Sequence, residues 1–321
     1  MTSYFISLFS ISLIYVLFGL GLNLHWGYAG LLNFGHVAFF AIGAYTSALL
    51  SLNGAPIAVG LFAGACMAAF AAYLVGFLTT RLKEDYLAIV MLTLAEIVRL
   101  VAVNSSWTGG PSGLPNIPAP FVDALGRTSR GMFLLMLVIA VVIALLLLSR
   151  LTRSEFGLAL RAIRDDEVCA TAVGKNIRSF KTKALVIGAI LAGVAGAFYG
   201  MYVSYIVPDQ FVPLVTFYAW VGIILGGRSH LGAALGTLVF MALLESTRFL
   251  SDMGVPITDA QVANGRLLIV GLVLIVLLRV RPQGLFPYKP TLPKQVRAEV
   301  QRTMSERIAA SNHPYHEKID A

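Results

Sequence analysis

From Met1 to Thr80 the chain contains no Asp, Glu, Lys or Arg. Such a stretch cannot build a water-facing surface, because soluble domains carry charge on roughly a quarter of their residues. Over all 321 residues the charged fraction is 12% and the hydrophobic fraction 58%, so the first 80 residues are not an exception but the extreme of a trend. The chain is therefore read as a polytopic membrane protein, and a soluble enzyme is excluded. Helices are the expected spanning element: lipid offers no partner to backbone N–H and C=O groups, and the ten-residue alternation of a barrel strand is absent. The fold class is all-α.

A net charge of +8 would suggest nucleic acid if it lay on a soluble face. Instead, eight Lys and Arg fall within residues 150–183 and eight more from Arg279 onward. This clustering marks a cytoplasmic loop and a cytoplasmic tail. Apolar runs long enough to cross about 30 Å of hydrocarbon occur at 3–22, 33–52, 56–80, 86–103, 131–149, 184–206, 231–250 and 265–281, with a shorter ninth at 213–227. Nine segments place the loop 104–130 and the N-terminus outside and the C-terminus inside. Residues 23–32, Asn23-Leu-His-Trp-Gly-Tyr-Ala-Gly-Leu-Leu32, are either a loop or a re-entrant break whose backbone lines a cavity. The membrane domain is expected over 1–287 and a polar tail over 288–321, where the composition shifts to Pro, Lys, Arg, Gln and Glu. Met1 to Tyr4 lacks the basic start of a signal peptide, so the first apolar run is expected to stay as a helix. Cys66 and Cys169 are expected at different depths and form no disulfide framework.

Several chemistries have no motif. GxxxxGK[ST], GxSxG and HExxH are all missing from the sequence, which argues against a nucleotide site of the P-loop kind, a nucleophile elbow or a zinc protease. No metal and no cofactor are expected on this chain, since His313-Pro-Tyr-His316 is the one close His pair and sits in the tail. What remains are charges at bilayer depth, which cost about 2.5–3.5 kcal/mol on insertion scales and need compensation. Glu96 with Arg99 and Glu245 with Arg248 stand at i, i+3, either as internal pairs or as vestibule groups that meet a solute or a docking partner. Gly188, Ala192, Gly196 and Gly200 recur every four residues and are expected to admit a close helix neighbour. Gly226-Gly227 suggests a tight turn. Thr108-Gly-Gly-Pro-Ser-Gly-Leu-Pro115 is a turn, or a nest of amides for a carboxylate.

The loop 150–183 is the most informative segment. Phe156, Leu160, Ile163, Ala170 and Val173 recur at helical spacing, with Arg161, Arg164 and Asp165 off the stripe. The pattern predicts a short amphipathic helix over 153–175, ended by Gly174. It lies on the lipid surface or inserts its stripe into a groove on a partner.

Gly21-Leu-Asn-Leu24, Gly27-Tyr-Ala-Gly-Leu-Leu-Asn-Phe-Gly-His36, Gly43-Ala-Tyr45, Asp85-Tyr-Leu-Ala-Ile89 and Glu96-Ile-Val-Arg99 resemble the permease subunits of bacterial ATP-binding-cassette importers for branched-chain amino acids. Leu160-Arg-Ala-Ile-Arg-Asp-Asp-Glu167 and Arg281-Pro-Gln-Gly-Leu-Phe286 are similar to the same family, so the resemblance runs from about residue 19 to 287. It implies a plasma-membrane subunit that pairs with a second permease, two cytoplasmic ATPase subunits that hold the ATP and Mg, and an extracytoplasmic solute-binding protein. It further implies that the amphipathic loop is the coupling helix, with Phe156, Leu160, Arg161, Ile163, Arg164, Asp165, Glu167, Ala170 and Gly174 as its residues. The wider family's Glu-Ala-Ala then Gly signature is only partly present, since Val168-Cys-Ala170 precedes Gly174. Asn33, His36, Glu96, Arg99, Glu245 and Arg248 are the candidate pathway or vestibule residues. An importer for urea, short amides or other amino acids is the alternative within the family. A proton-coupled secondary transporter using Glu96 or Glu245 is the alternative outside it, but it leaves the basic amphipathic loop unexplained.

Overall fold

A computed structural model of the chain describes residues 2–79, 84–119 and 129–252, with isolated positions beyond. The elements are α1 (Thr2–Asn23), α2 (Val37–Leu52), α3 (Ile57–Thr79), α4 (Glu84–Asn104), α5 (Ser129–Arg153), α6 (Glu155–Asp165), α7 (Glu167–Ala172), α8 (Ile177–Val203), α9 (Leu214–Gly226) and α10 (His230–Asp252). Among the described residues the one sheet-like contact is an antiparallel bridge between Leu114 and Ile206. The chain is an all-α, multi-pass membrane protein. The segment 265–281, the Arg281–Phe286 close and the tail, which forms a separate unit Tyr288–Ala321, lie outside the described stretches.

α8 is the axis of the bundle. It packs on α1, α2 and α3, while α9 and α10 pack on each other and on α1. Small residues make these approaches possible, as the spacing in α8 predicts. A Cβ at Gly196 would lie 1.9 Å from the Phe40 carbonyl, and one at Gly43 would lie 2.1 Å from the Gly193 carbonyl. The α9–α10 hairpin is closed in the same way, with a Cβ at Gly226 placed 1.8 Å from the Gly232 carbonyl. Its 13 residues make α9 about 20 Å long, too short to cross the hydrocarbon alone. The short ninth span of the sequence is thus the inner arm of a hairpin.

One expectation needs correction. The single amphipathic helix over 153–175 is two helices, because Asp166 adopts extended backbone angles between them and caps α7, its carboxylate accepting from the Cys169 N–H at 2.9 Å. That bond holds the Asp166 carboxyl below its ordinary pKa, and the same carboxylate, accepting from the Cys169 thiol and repelling its thiolate, raises the pKa of Cys169. Gly174 does close the segment, at φ +78°. For the Gly-rich loop 108–115 the turn is the alternative found. Its amides at Gly109, Gly110, Gly113 and Leu114 donate to Ser106, Ser105, Gly110 and Ile206 carbonyls, so it is a turn clamped to the chain after α8 rather than a nest open to a carboxylate.

Candidate functional site

Residues 24–36 decide the character of the interior. α1 runs into a π-helical turn at Leu24–Tyr28, then into an irregular stretch that reaches α2 at Val37. His25, Asn33 and His36 are fully buried in this irregular stretch, so residues 23–32 interrupt the helix inside the protein rather than form an exposed loop. Polar partners come from elements far away in sequence. His25 Nε2 lies 3.1 Å from the Leu185 carbonyl and its Nδ1 lies 3.2 Å from Asn33 Nδ2. Asn33 Oδ1 accepts from the Gly35 N–H, and its backbone carbonyl accepts from Trp220 Nε1 at 3.3 Å. Thr216 Oγ1 accepts from the Val37 N–H. Asn23 donates to the Arg228 carbonyl and lies 3.3 Å from His230 Nδ1, while His230 stacks on Tyr28 with centroids 4.4 Å apart.

Not every polar atom here is matched. Both ring nitrogens of His36, Oδ1 of Asn23, Nε2 of His230 and the Thr237 hydroxyl are buried without a hydrogen-bonding partner in the protein. A buried unpaired polar group costs about 1–3 kcal/mol, and polar groups at membrane depth mark functional positions. Asn23, His36 and His230 lie in or against the break, with Thr237 further along α10 beside Gly19 and Gly222, which makes the break the candidate interior site. Sequence reasoning singled out Asn33 and His36 and missed Asn23, His25, His230, Thr216 and Trp220. The signal available was that His25 lies in the segment already flagged as a break, and His230 in the turn after Gly226-Gly227.

The basic loop reaches this site directly. Arg164, on α6, donates from its guanidinium to the carbonyl of Gly27 in the π turn and also binds Asp165 Oδ1 at 2.7 Å. Gly30 sits under the same side chain at φ +70°, with its Cβ position 2.9 Å from Arg164 Cγ. The stripe is used internally as well: Leu160 and Ile163 are 0% exposed, Ala170 is buried, and Phe156 stacks on Phe180 at 5.5 Å. Lys181, almost wholly buried, pairs with Glu167, which ties α7 to α8. Arg161 donates to the carbonyls of Gly157 and Thr152 and fixes the start of α6 on the end of α5. Leu160, Ile163 and Ala170 therefore face this chain's own bundle, and the expectation that Leu160 and Ile163 enter a partner's groove is revised, while Val173, the last member of the stripe, points outward. The outward side carries Leu158, Val168 at 79% and Val173 at 78% exposure.

At the opposite end Glu96 pairs with Arg99 at 2.6 Å within α4, and Arg99 also reaches Asp209 at 3.0 Å. The internal pairing was legible in the spacing; the third member, Asp209, was not. Tyr4 donates its hydroxyl to the Glu245 backbone carbonyl. The side chain of Arg248 lies outside the described residues.

Residues 4–278 match the family model described as branched-chain amino acid transport system, permease component. The chain belongs to that permease family. It is similar to the high-affinity branched-chain amino acid transport system permease protein LivM of Escherichia coli, at 33% identity over 87% of this chain and 69% of the relative. A probable branched-chain amino acid transport permease protein LivM of Methanocaldococcus jannaschii is 27% identical over 89% of this chain and 94% of its own length. The nucleoside ABC transporter permease protein NupC of Lactococcus lactis is 24% identical over 66% and 71% of the two chains. No solved structure matches. The permease is thus a membrane component of a multi-component transport system.

Proposed function

We propose that this permease carries branched-chain amino acids inward as one of two permease subunits of an ATP-driven importer. The cytoplasmic ATPase subunits bind the ATP and Mg, and an extracytoplasmic binding protein delivers the solute at the Glu96–Arg99–Asp209 end. Under this reading the loop 150–183 and the C-terminus are cytoplasmic. The solute class rests on relatives named for branched-chain amino acids at higher identity than the one named for nucleosides.

One observation carries the mechanism: Arg164 on the basic loop binds the Gly27 carbonyl in the buried break. A loop moved by ATPase subunits would then pull directly on the segment that holds His25, Asn33 and His36. Alternating access needs such an element, one whose two arrangements are biased from outside the membrane. Docking would fall to the exposed side of α6 and α7, at Leu158, Val168 and Val173, while Leu160, Ile163, Phe156 and Ala170 hold the loop to the bundle. Arg161, Asp165 and Glu167 fix its register, and Gly174 ends it.

Uptake of labelled leucine in whole cells tests the energy source. It should collapse when a Walker lysine of either ATPase partner is substituted, and persist in a protonophore while ATP is maintained. The reverse pattern would favour proton coupling through Glu96 or Glu245 and reject the importer.

A further inference from the structure

At the loop end of the bundle, the chain has a second feature, apart from the buried break. A cavity of about 610 Å³ opens between α3, the end of α5 and the start of α8. Its walls are apolar, built from Tyr73 and Phe77 on α3, Phe156 on α6 and Val186 on α8, and two cations stand in its lining, Arg178 and Lys183. Arg178 is held in place, its guanidinium carbon 4.6 Å from the centroid of the Phe77 ring and one N–H donated to the Phe77 carbonyl. A guanidinium has five donors, and that bond uses one. Lys183 is exposed, with its ammonium 6.0 Å from the Phe180 ring.

We propose that this cavity binds an anionic phospholipid, with its phosphate between Arg178 and Lys183 and its acyl chain along Tyr73, Phe77 and Val186. Three observations converge on a lipid. The volume is that of a pocket able to bury a ligand of several hundred daltons. The lining changes from cationic to apolar along its length, as the ligand does from phosphate to hydrocarbon, and basic pockets between membrane helices at the cytoplasmic side suit anionic head groups. The apolar wall is also continuous with the face of α3 that carries Phe62 and Phe70, 72% and 57% exposed. An acyl chain leaving the cavity thus meets the same apolar surface that the hydrocarbon would cover. The site lies at the helix ends beside the basic loop, so the interfacial depth it needs rests on the proposed orientation, but its occupancy does not depend on which solute is carried.

The test uses the assembled transporter in nanodiscs that contain a photoactivatable phosphatidylglycerol, with labelled peptides mapped by mass spectrometry. Label is expected on Tyr73–Phe77 and Thr182–Ile187, displaced by excess phosphatidylglycerol and not by phosphatidylcholine. Lys183→Gln should lower it about fivefold, as one interfacial cation is worth, and Arg178→Gln with Lys183→Gln by more than tenfold. Because Arg178 also braces α3, the single Lys183 variant decides the matter if the double variant does not fold. Equal displacement by phosphatidylcholine, or unchanged labelling in Lys183→Gln, would overturn the proposal. So would an unlabelled groove in which a photo-crosslinking side chain substituted at Tyr73 captures another subunit, since the groove would then be a protein interface. Leucine uptake measured in parallel separates this outcome from failure of the importer reading.

Discussion

In the most apolar window of α1 with its π turn, and in that of α8, 67% of residues are buried, against 22% in α3 and 28% in α4 and in α5. All five are apolar enough to span a membrane, yet the buried pair carries the break, the glycine contacts and the polar cluster. Hydropathy states only that a helix tolerates lipid. What separates the centre from the rim is residue size and stray polarity: Gly21, Gly188, Gly193 and Gly196 allow backbones to touch, and His25 Nε2 has a partner because Leu185 is brought beside it. Rim helices bury one face and leave bulky side chains such as Phe62, Ile89 and Leu146 exposed. A closely packed centre beside a rim of exposed apolar side chains is the arrangement on which the proposed transport mechanism draws.

The strongest way to break this contrast is a volume change placed once in the centre and once at the rim. Gly43→Val puts a branched side chain where a single Cβ already comes within 2.1 Å of the Gly193 carbonyl. Backbone cannot yield as a side-chain tip does, so the cost should exceed the 1–3 kcal/mol typical of overpacking. The expected result is loss of the monodisperse peak on detergent size-exclusion chromatography. Gly131→Ala in α5 meets nothing within 4 Å and should leave the peak intact or raise thermal stability by about 0.5–1 kcal/mol. Similar behaviour of the two variants would erase the distinction.

How much of this was legible beforehand depends on the range of the interaction. The all-α class, the α8 glycine spacing and the Glu96–Arg99 pair follow from local pattern, the family follows from the motifs it resembles, such as Gly27–His36 and Leu160–Glu167, and each is found. The stripe on α6 was legible as a stripe, but its partner was not: periodicity shows that Leu160 and Ile163 point the same way, not whether that way is inward. Asp166 breaking the helix was hidden because an Asp inside a helical pattern and an Asp at a cap look alike without the backbone. The polar cluster needed contacts 160 to 207 positions apart, beyond the reach of any spacing rule. Coupling and pathway roles remain proposals resting on this geometry.

An intermediate effect separates the two sides of α6 and α7. Leu160→Asp would bury a carboxylate at a site with 0% exposure, at a cost of several kcal/mol, so it should lower the thermal stability of the permease purified alone. Val168→Asp changes a side chain 79% exposed and should leave that stability within about 0.5 kcal/mol while reducing co-purification of the ATPase subunits. A Leu160→Asp variant with unchanged melting but no bound ATPase would show that the stripe faces a partner after all.

The smallest effect belongs to the rim charges. Arg99 joins Glu96 and Asp209, but the Asp209 side chain is 83% exposed and that of Glu96 43%, so solvent screens both pairs. A double-mutant cycle of Arg99→Gln with Asp209→Asn, read from thermal unfolding in detergent, should give a coupling of about 0.2–1 kcal/mol. High salt should shrink it, because exposed charges are screened within about 10 Å at 0.1 M ionic strength. Lys181 with Glu167 provides the contrast, since the lysine side chain is only 6% exposed. Removing Glu167 alone leaves a buried ammonium unpaired, so Glu167→Gln should destabilise by more than the whole Arg99–Asp209 coupling and respond less to salt. If the Glu167→Gln loss is no larger than the Arg99–Asp209 coupling and equally dependent on salt, the loop end is no more firmly joined to the centre than the opposite end. Direct transmission from α7 into α8 would then lose its physical basis.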